Sequence, residues 1–434
     1  MERDNKGRFV SNTRASDLLG RQVLSLLAGM QFAGDRDIDT TLGYTKAPTL
    51  DNYLSMYNRR GIAASIVDAP AKTTWRKTPI ISDGSEGKSE FSKAWEALCA
   101  RVNVFDYMGR VDRLTGIGRY GILLVGTKKG KLSDPLDTLT DRGAIIFLSS
   151  FSEASARVKE FIVDVHDRRF GQPSMYIIDL GGDIAPEHKT EEVHWSRVIH
   201  VAEGLLENEV YGEPRLQKVY NRLEDLDKIV GSSAEGYWQA VVKGYAVSPK
   251  EGFTISPGAV EAAKEEWQKY IHGLQRIIAT EGFDFKEMKG EMVDPTTAFD
   301  VVMSIISGTK GIPKRILLGS EVGSLASTQD QANWLGRVAE RQKQFAEPRI
   351  LRAFIDRLIE YHALPPPTGG EYIVEWPGLF YLTDAELAKV HALNASAVRN
   401  MIGKDGDPRN LLTMAEQRIM LGLPAEMEED GTDG

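Results

Sequence analysis

A single cysteine, Cys99, stands in the 434 residues. An intrachain disulfide therefore has no second thiol, and a multi-cysteine metal site is excluded. This usage fits a reducing compartment. A basic excess is missing too: 53 Lys and Arg stand against 62 Asp and Glu, a net charge of −9. Much of the deficit lies at the very end, where Glu426, Glu428, Glu429, Asp430 and Asp433 meet no base. A protein that grips nucleic acid through its phosphates concentrates Lys and Arg somewhere, and no such stretch stands out. Tight non-specific DNA binding by one copy is disfavoured. Long apolar runs are absent as well. Stretches such as 122–125 and 144–148 fall far short of the ~20 residues that cross a membrane. The opening Met-Glu-Arg-Asp-Asn-Lys-Gly-Arg carries no apolar signal-peptide core, so a chain made in the cytoplasm, with no membrane partner, is expected.

What remains is ordinary globular material, 42% hydrophobic and 26% charged. At about 150 residues per domain it suggests about three units. Residues 1–43 are polar and Gly-rich apart from a short amphipathic stretch, and read as an extended or mobile arm. Leu50, Tyr53, Leu54, Tyr57, Ile62, Ile66 and Val67 put one helix over 49–72, and further helices fall at 91–100 and 105–114. Short β-branched segments at 121–126, 144–148, 160–165, 175–179 and 197–201 predict a mixed sheet. Val219, Leu223, Leu226, Val230, Ala234, Tyr237 and Val241 then advance by three or four and form one long helical stripe, interrupted by Gly231-Ser-Ser.

A small α/β unit follows. Residues 245–247 and 253–255 suit strands, and Ser256-Pro257 opens a helix bearing Val260, Ala263, Trp267, Ile271 and Leu274. Segments 276–280 and 283–288 suit a hairpin. Asp294-Pro295 starts another helix, with Ala298, Val301, Val302, Ile305 and Ile306 on its apolar side. A small-residue loop leads to Thr328 and Gln331, a capping box. The longest helix begins there, striped by Leu335, Val338, Phe345, Ile350, Leu351, Phe354, Ile355 and Leu358, and a kink is expected ahead of Pro348. A strand at 372–376 and helices at 383–401 and 408–421 complete the chain.

Catalytic signatures are weak. Gly116-Ile-Gly118-Arg-Tyr-Gly121 matches a dinucleotide fingerprint, but a helix precedes it and a strand follows, the reverse of what a pyrophosphate site needs. Gly126-Thr-Lys-Lys-Gly130-Lys131 lacks the spacer residue and terminal Ser/Thr of a P-loop. His188-Lys-Thr190 and His194-Trp-Ser196 each match the His-x-Thr/Ser pattern of two-histidine phosphoesterases, yet six residues apart they cannot frame a phosphate from both sides. His166, His200, His272, His362 and His391 show no metal-ligand spacing. No enzyme, metal or cofactor is expected.

Three stretches carry a family resemblance. They are Asn58-Arg-Arg-Gly-Ile-Ala-Ala-Ser-Ile-Val-Asp-Ala-Pro-Ala; Asp167-Arg-Arg-Phe-Gly-Gln-Pro-Ser-Met-Tyr with Val193-His-Trp-Ser-Arg-Val-Ile-His; and Gly311-Ile-Pro-Lys-Arg-Ile-Leu-Leu-Gly with Ser327-Thr-Gln-Asp-Gln. In this order they resemble tailed-phage portal proteins, a pool that includes portal-like members named after anti-CBASS phosphoesterases. The resemblance implies an α+β portal fold. Residues 1–43 would be an arm, 44–217 an α/β wing, 218–243 the first stem helix, 244–293 a small α/β clip and 294–309 the second stem helix. The tunnel-loop region would be 310–327, the long kinked helix and the wing's return strand 328–379, the crown helices 380–422 and the acidic tail 423–434. It further implies a homo-dodecameric ring in the virion, at one capsid vertex beside the major capsid protein. Double-stranded viral DNA would pass through without sequence specificity during packaging and ejection. Terminase large subunit, head-completion or adaptor proteins and tail proteins would dock there. Lys310, Lys314, Arg315, Ser320, Glu321, Gly323 and Ser324 become candidates to face DNA, Trp267, Phe283 and Phe285 candidates for clip contacts, and Pro348 the kink. A cyclic-oligonucleotide phosphodiesterase using His188 and His194, or an adaptor without a pore, are the alternatives.

Overall fold

The computed structural model describes residues 37–85, 89–139, 143–181, 190–241, 244–249, 283–288, 294–319, 326–380 and 384–401, with isolated positions between 258 and 268 and at 413 and 418. The described chain enters through α1 (Ile38–Leu42), α2 (Leu50–Arg59) and α3 (Gly61–Thr74). Thr49 caps α2 in a reciprocal exchange with Asn52, satisfying backbone donors that a helix start leaves open. The single helix expected over 49–72 breaks at Arg60, whose backbone is extended (φ −121°, ψ 115°). Both pieces feed one core through Tyr53, Met56, Ala63, Ile66 and Val67, so the apolar spacing runs across the break without marking it.

β1 (Ile80–Ser82) leads to α4 (Glu90–Val102) and α5 (Val104–Ile117), hinged at Asn103 in the left-handed region (φ 49°). β2 (Gly121–Thr127) lies between β3 (Ile145–Ser152) and β7 (Val198–Val201); β5 (Pro173–Asp179) lies between β4 (Ala156–Phe161) and β6 (Thr190–His194). Every pairing in these two sheets is antiparallel, which corrects the mixed sheet expected from the sequence. The connections between paired neighbours, 162–172 from β4 to β5 and 180–189 from β5 to β6, are shorter than the crossover of a dozen or more residues that a parallel pair requires. The strand expected at 160–165 starts earlier, at Ala156, and ends at Phe161. Beyond it Asp164 and Asp167 accept from the backbone of His166 and Arg169 and turn the chain. β2 is buried on both faces: Ile122 and Leu124 join Tyr120, Tyr176 and Val193 between the sheets, while Leu123 and Val125 meet Met108, Val111 and Phe354. That explains an unbroken apolar run in a strand.

α6 (Tyr220–Val241) runs through Gly231 without interruption and, at 22 residues, is about 33 Å long. β8 (Gly244–Pro249) and β9 (Phe283–Met288) pair antiparallel, Tyr245 opposite Glu287 and Val247 opposite Phe285. The chain returns along α7 (Thr296–Lys310), ended by Gly311 at φ 63°. The expected strands at 253–255 and 276–280 and Trp267 lie outside the described residues. After α8 (Lys314–Leu318) comes α9 (Ala326–Arg341), continued by a π-helical run over Gln342–Arg352 and by α10 (Ala353–Glu360). The π run holds Pro348. A proline has no N–H to close onto the preceding turn, and wider turns give its ring room that an α-helical turn denies. Widening, over eleven residues, is how the helix accommodates Pro348. β10 (Ile373–Glu375) pairs with β1, and α11 (Asp384–Met401) follows.

Candidate functional site

The α6/α7 pair has two halves. At its base Leu223 and Leu226 of the α6 stripe, with Val219 just ahead of the helix, are buried against Val302, Met303 and Ile306 of α7, with Ile66, Leu335 and Val338 closing the cluster. Further out the same stripe meets solvent: Val230 is 53% exposed, Tyr237 55% and its neighbour Trp238 71%. On α7 the exposed apolar residues lie on a second face instead: Val301 is 54% and Ile305 44% exposed, while the adjacent Val302 and Ile306 are buried. Exposed apolar residues of this kind, grouped on a helix pair, mark a contact made elsewhere.

Beneath the base lies a buried ion cluster. Asp112 of α5 is fully buried. Its Oδ1 accepts from Arg215 Nη2 (2.8 Å) and Arg341 Nη2 (2.6 Å); its Oδ2 accepts from Arg341 Nη1 (2.9 Å) and Trp75 Nε1 (2.8 Å). Glu203 accepts from Arg341 Nε (2.7 Å) and Arg215 Nε (2.9 Å). Arg215 Nη1 reaches the Val67 carbonyl (2.6 Å), and Gln342 Nε2 the Thr74 carbonyl (2.8 Å). The cluster thus ties α3, α5, the approach to α6 and the end of α9 together. Gly116 passes so close to Arg215 that a Cβ would come within 2.8 Å of the guanidinium, which accounts for the first glycine of the fingerprint-like motif. Burial pushes the Asp112 carboxyl up, but Arg341 and Arg215 outweigh it and hold it below the usual carboxylate range. Burial acts likewise on Glu203, where the same two guanidiniums win and bring it to about 2. With every carboxylate oxygen engaged, the arrangement clamps elements together and offers no free acid, base or nucleophile.

The other motifs are structural. His194 Nδ1 accepts from the Ser196 backbone N–H (3.3 Å), capping the turn before β7, and Ser196 Oγ accepts from Leu136 N (2.7 Å). Burial, then the charges of Arg169, Arg197 and Arg357, depress the His194 pKa, so the ring is neutral. His188 lies outside the described residues. A Cβ on Gly130 would come within 2.6 Å of Arg197 Nη2 and one on Gly126 within 2.2 Å of the Phe147 ring, so the P-loop-like glycines admit side chains of this chain. The Cys99 thiol is pushed up to about 12, by burial and by Glu96, and is no nucleophile. No group of His, Cys, Asp and Glu among the described residues is placed to hold a metal, and no described helix is long and apolar enough to cross a membrane.

Of the DNA-facing candidates, Lys310 lines a cleft beside Glu213 and Arg215, Lys314 pairs with Asp300 (3.6 Å), and Arg315 is half-buried on α8. Ser320, Glu321, Gly323 and Ser324 lie outside the described residues. Phe283 and Phe285 stand in β9 opposite Pro249 and Val247. The ion cluster escaped the sequence reading. Its trace there is a polar gap, Arg341-Gln342, where the Leu335–Val338–Phe345 stripe calls for an apolar residue, and Asp112 beside Val111 on an otherwise apolar helix face.

The family model for phage portal proteins matches residues 51–400. The chain belongs to the phage portal protein family. Two solved structures share the fold. One is from the virion of the native gene transfer agent particle: 13% identity, TM-score 0.52, 87% of this chain and 94% of that one covered. The other is from the neck of the empty particle: 15% identity, TM-score 0.53, 89% and 98% covered. A curated relative, the anti-CBASS protein Acb1 of Caulobacter sp. (strain RHG1), is 27% identical over 340 residues, 69% of this chain. The match spans about half, 52%, of that relative's length.

Proposed function

We propose that this chain is the subunit of a homo-dodecameric portal ring at one vertex of a phage capsid, the channel through which double-stranded DNA is packaged and ejected. Residues 44–217 serve as its wing, α6 and α7 as its stem, 244–293 as its clip, 310–327 as its tunnel-loop region and 380–422 as its crown. Terminase large subunit, the head-completion or adaptor proteins, the tail proteins and the major capsid protein are its partners. The carrying observation is the set of exposed apolar residues on the helix pair, Val230, Tyr237 and Trp238 on α6 and Val301 and Ile305 on α7: their occupant is the stem of the neighbouring copy. Portals thread a polyanion, and a bore without strong phosphate contacts lets it slide; the overall charge of −9 suits that. Lys310, Lys314 and Arg315, with the loop bearing Ser320, Glu321, Gly323 and Ser324, are the residues nearest the proposed DNA path.

Negative-stain imaging of the purified chain and of virions tests this reading. Rings with a central channel are expected. Compact particles without a channel favour the adaptor alternative, and a chain missing from the capsid vertex overturns the proposal. The phosphodiesterase alternative has less support, because the His194 imidazole is already engaged as a cap.

A further inference from the structure

A cleft of about 380 Å³ opens beside the ion cluster, between α3, the end of α7 and α9. Its lining includes five cations (Arg215, Lys218, Lys310, Arg337 and Arg341) and two carboxylates, Glu203 and Glu213. Most of that charge is matched. Arg215 and Arg341 are bound to Asp112 and Glu203, and Lys218 pairs with Glu213 at 2.9 Å. Two cations are left over. Lys310 forms no hydrogen bond or ion pair among the described residues, and burial depresses its ammonium pKa. Arg337, at the exposed mouth, reaches only the Gly311 carbonyl, at 3.5 Å, and no carboxylate. It lies over a residue that has to be glycine: Gly311 has φ +63°, and a Cβ there would sit 1.8 Å from Arg337 Nη1. Ile66, Pro70, Ile312 and Trp334 add an apolar part to the lining.

We infer that this cleft binds a phosphate-class dianion, orthophosphate or a phosphomonoester, between Lys310 and Arg337. Two unmatched positive charges fit a ligand of charge near −2, and a half-buried ammonium without a partner gains most from an oxyanion that replaces its lost water. The apolar part of the lining leaves room for an organic group on the ester. The ammonium supplies a point charge inside and the guanidinium a two-pronged donor at the mouth. The inference does not rest on the portal reading, which also draws on Lys310: a chain that forms no ring still has this cleft.

The test is calorimetric titration of the full-length chain with orthophosphate, with a nucleoside monophosphate and with short duplex DNA, at fixed ionic strength. Saturable binding of the first two is expected. Lys310→Gln weakens it about tenfold and Arg337→Gln several-fold, while Arg110→Gln, which removes a surface partner of Asp106, leaves it unchanged. Arg337 is exposed, so its variant reports on the site even where Lys310→Gln unfolds the chain. No saturable phosphate binding by the wild-type chain overturns the inference. So does equal affinity in both variants, or binding of the duplex alone.

Discussion

The two halves of α6 teach different lessons although one spacing rule builds both. In the first half, Leu223 and Leu226, with Val219 just ahead of the helix, are covered by α7 and α9, and polar ties fasten the outer side: Tyr44 OH donates to Asp225 (2.5 Å), Arg60 pairs with Asp227 (2.7 Å), and Lys228 Nζ reaches the Leu42 carbonyl (2.7 Å). In the second half the stripe continues into solvent at Val230, Tyr237 and Trp238. Periodicity says which face of a helix is apolar; it does not say who covers it. The base is completed within one chain. Val230, Tyr237 and Trp238 of the outer half stay exposed, and we have proposed that the neighbouring copy covers them.

The sharpest way to break this comparison is to damage the base. Asp112→Ala leaves Arg215 and Arg341 buried with one carboxylate between them. A loss of about 3–5 kcal/mol in unfolding free energy is expected, read by denaturant melting. A loss below about 1 kcal/mol would show that the cluster is not what joins α3, α5 and α9.

Acid separates the halves next. Glu203 has a folded pKa of about 2 against an ordinary 4.5, and Asp112 is lowered as well. A carboxylate depressed in the folded state contributes stability that is fully present above its unfolded pKa and lost as the pH falls through the folded one. The base should therefore weaken between pH 4.5 and 2, Glu203 giving up about 3 kcal/mol across the window. His200, brought to about 4 by burial, opens an earlier window between the two sheets. Its unfolded form takes a proton below about 6.5, so that stability is lost from pH 6.5 down to about 4. Amide exchange followed against pH should show 198–201 loosening first and 220–226 later. The reverse order would reassign the acid sensitivity.

How much of this was legible beforehand follows from what each signal measures. The helices at 91–100 and 105–114 emerged close to α4 and α5, and the run at 122–125 marked β2, because burial writes itself into spacing. The break at Arg60 did not, since α2 and α3 serve the same core. Strand direction was misjudged because β-branched segments carry no polarity of pairing. The His-x-Ser and glycine motifs were visible as patterns, but their reasons, an imidazole capping a turn and glycines making room for Arg215, Arg197 and Phe147, are tertiary contacts. Asp112 and Arg341 were visible only as misfits in apolar stripes. A misfit names its partner only once the helices have been brought together.

The finest cut falls between two adjacent residues of α7. Ile306 is fully buried at the base, whereas Ile305, one position earlier, is 44% exposed. Ile306→Ala removes methylenes from a packed core and should cost about 3 kcal/mol. Ile305→Ala on the isolated chain should change stability by no more than about 0.5 kcal/mol. If a second copy covers the outer face, Ile305→Ala is silent in a melt of the monomer and evident in mass photometry as fewer rings at a given concentration. Trp238→Ser should deepen that defect, because aromatic anchors carry much of an interface. Were Ile305→Ala to destabilise the monomer as strongly as Ile306→Ala, the outer face would already be covered within one chain, and the contrast between the halves would disappear.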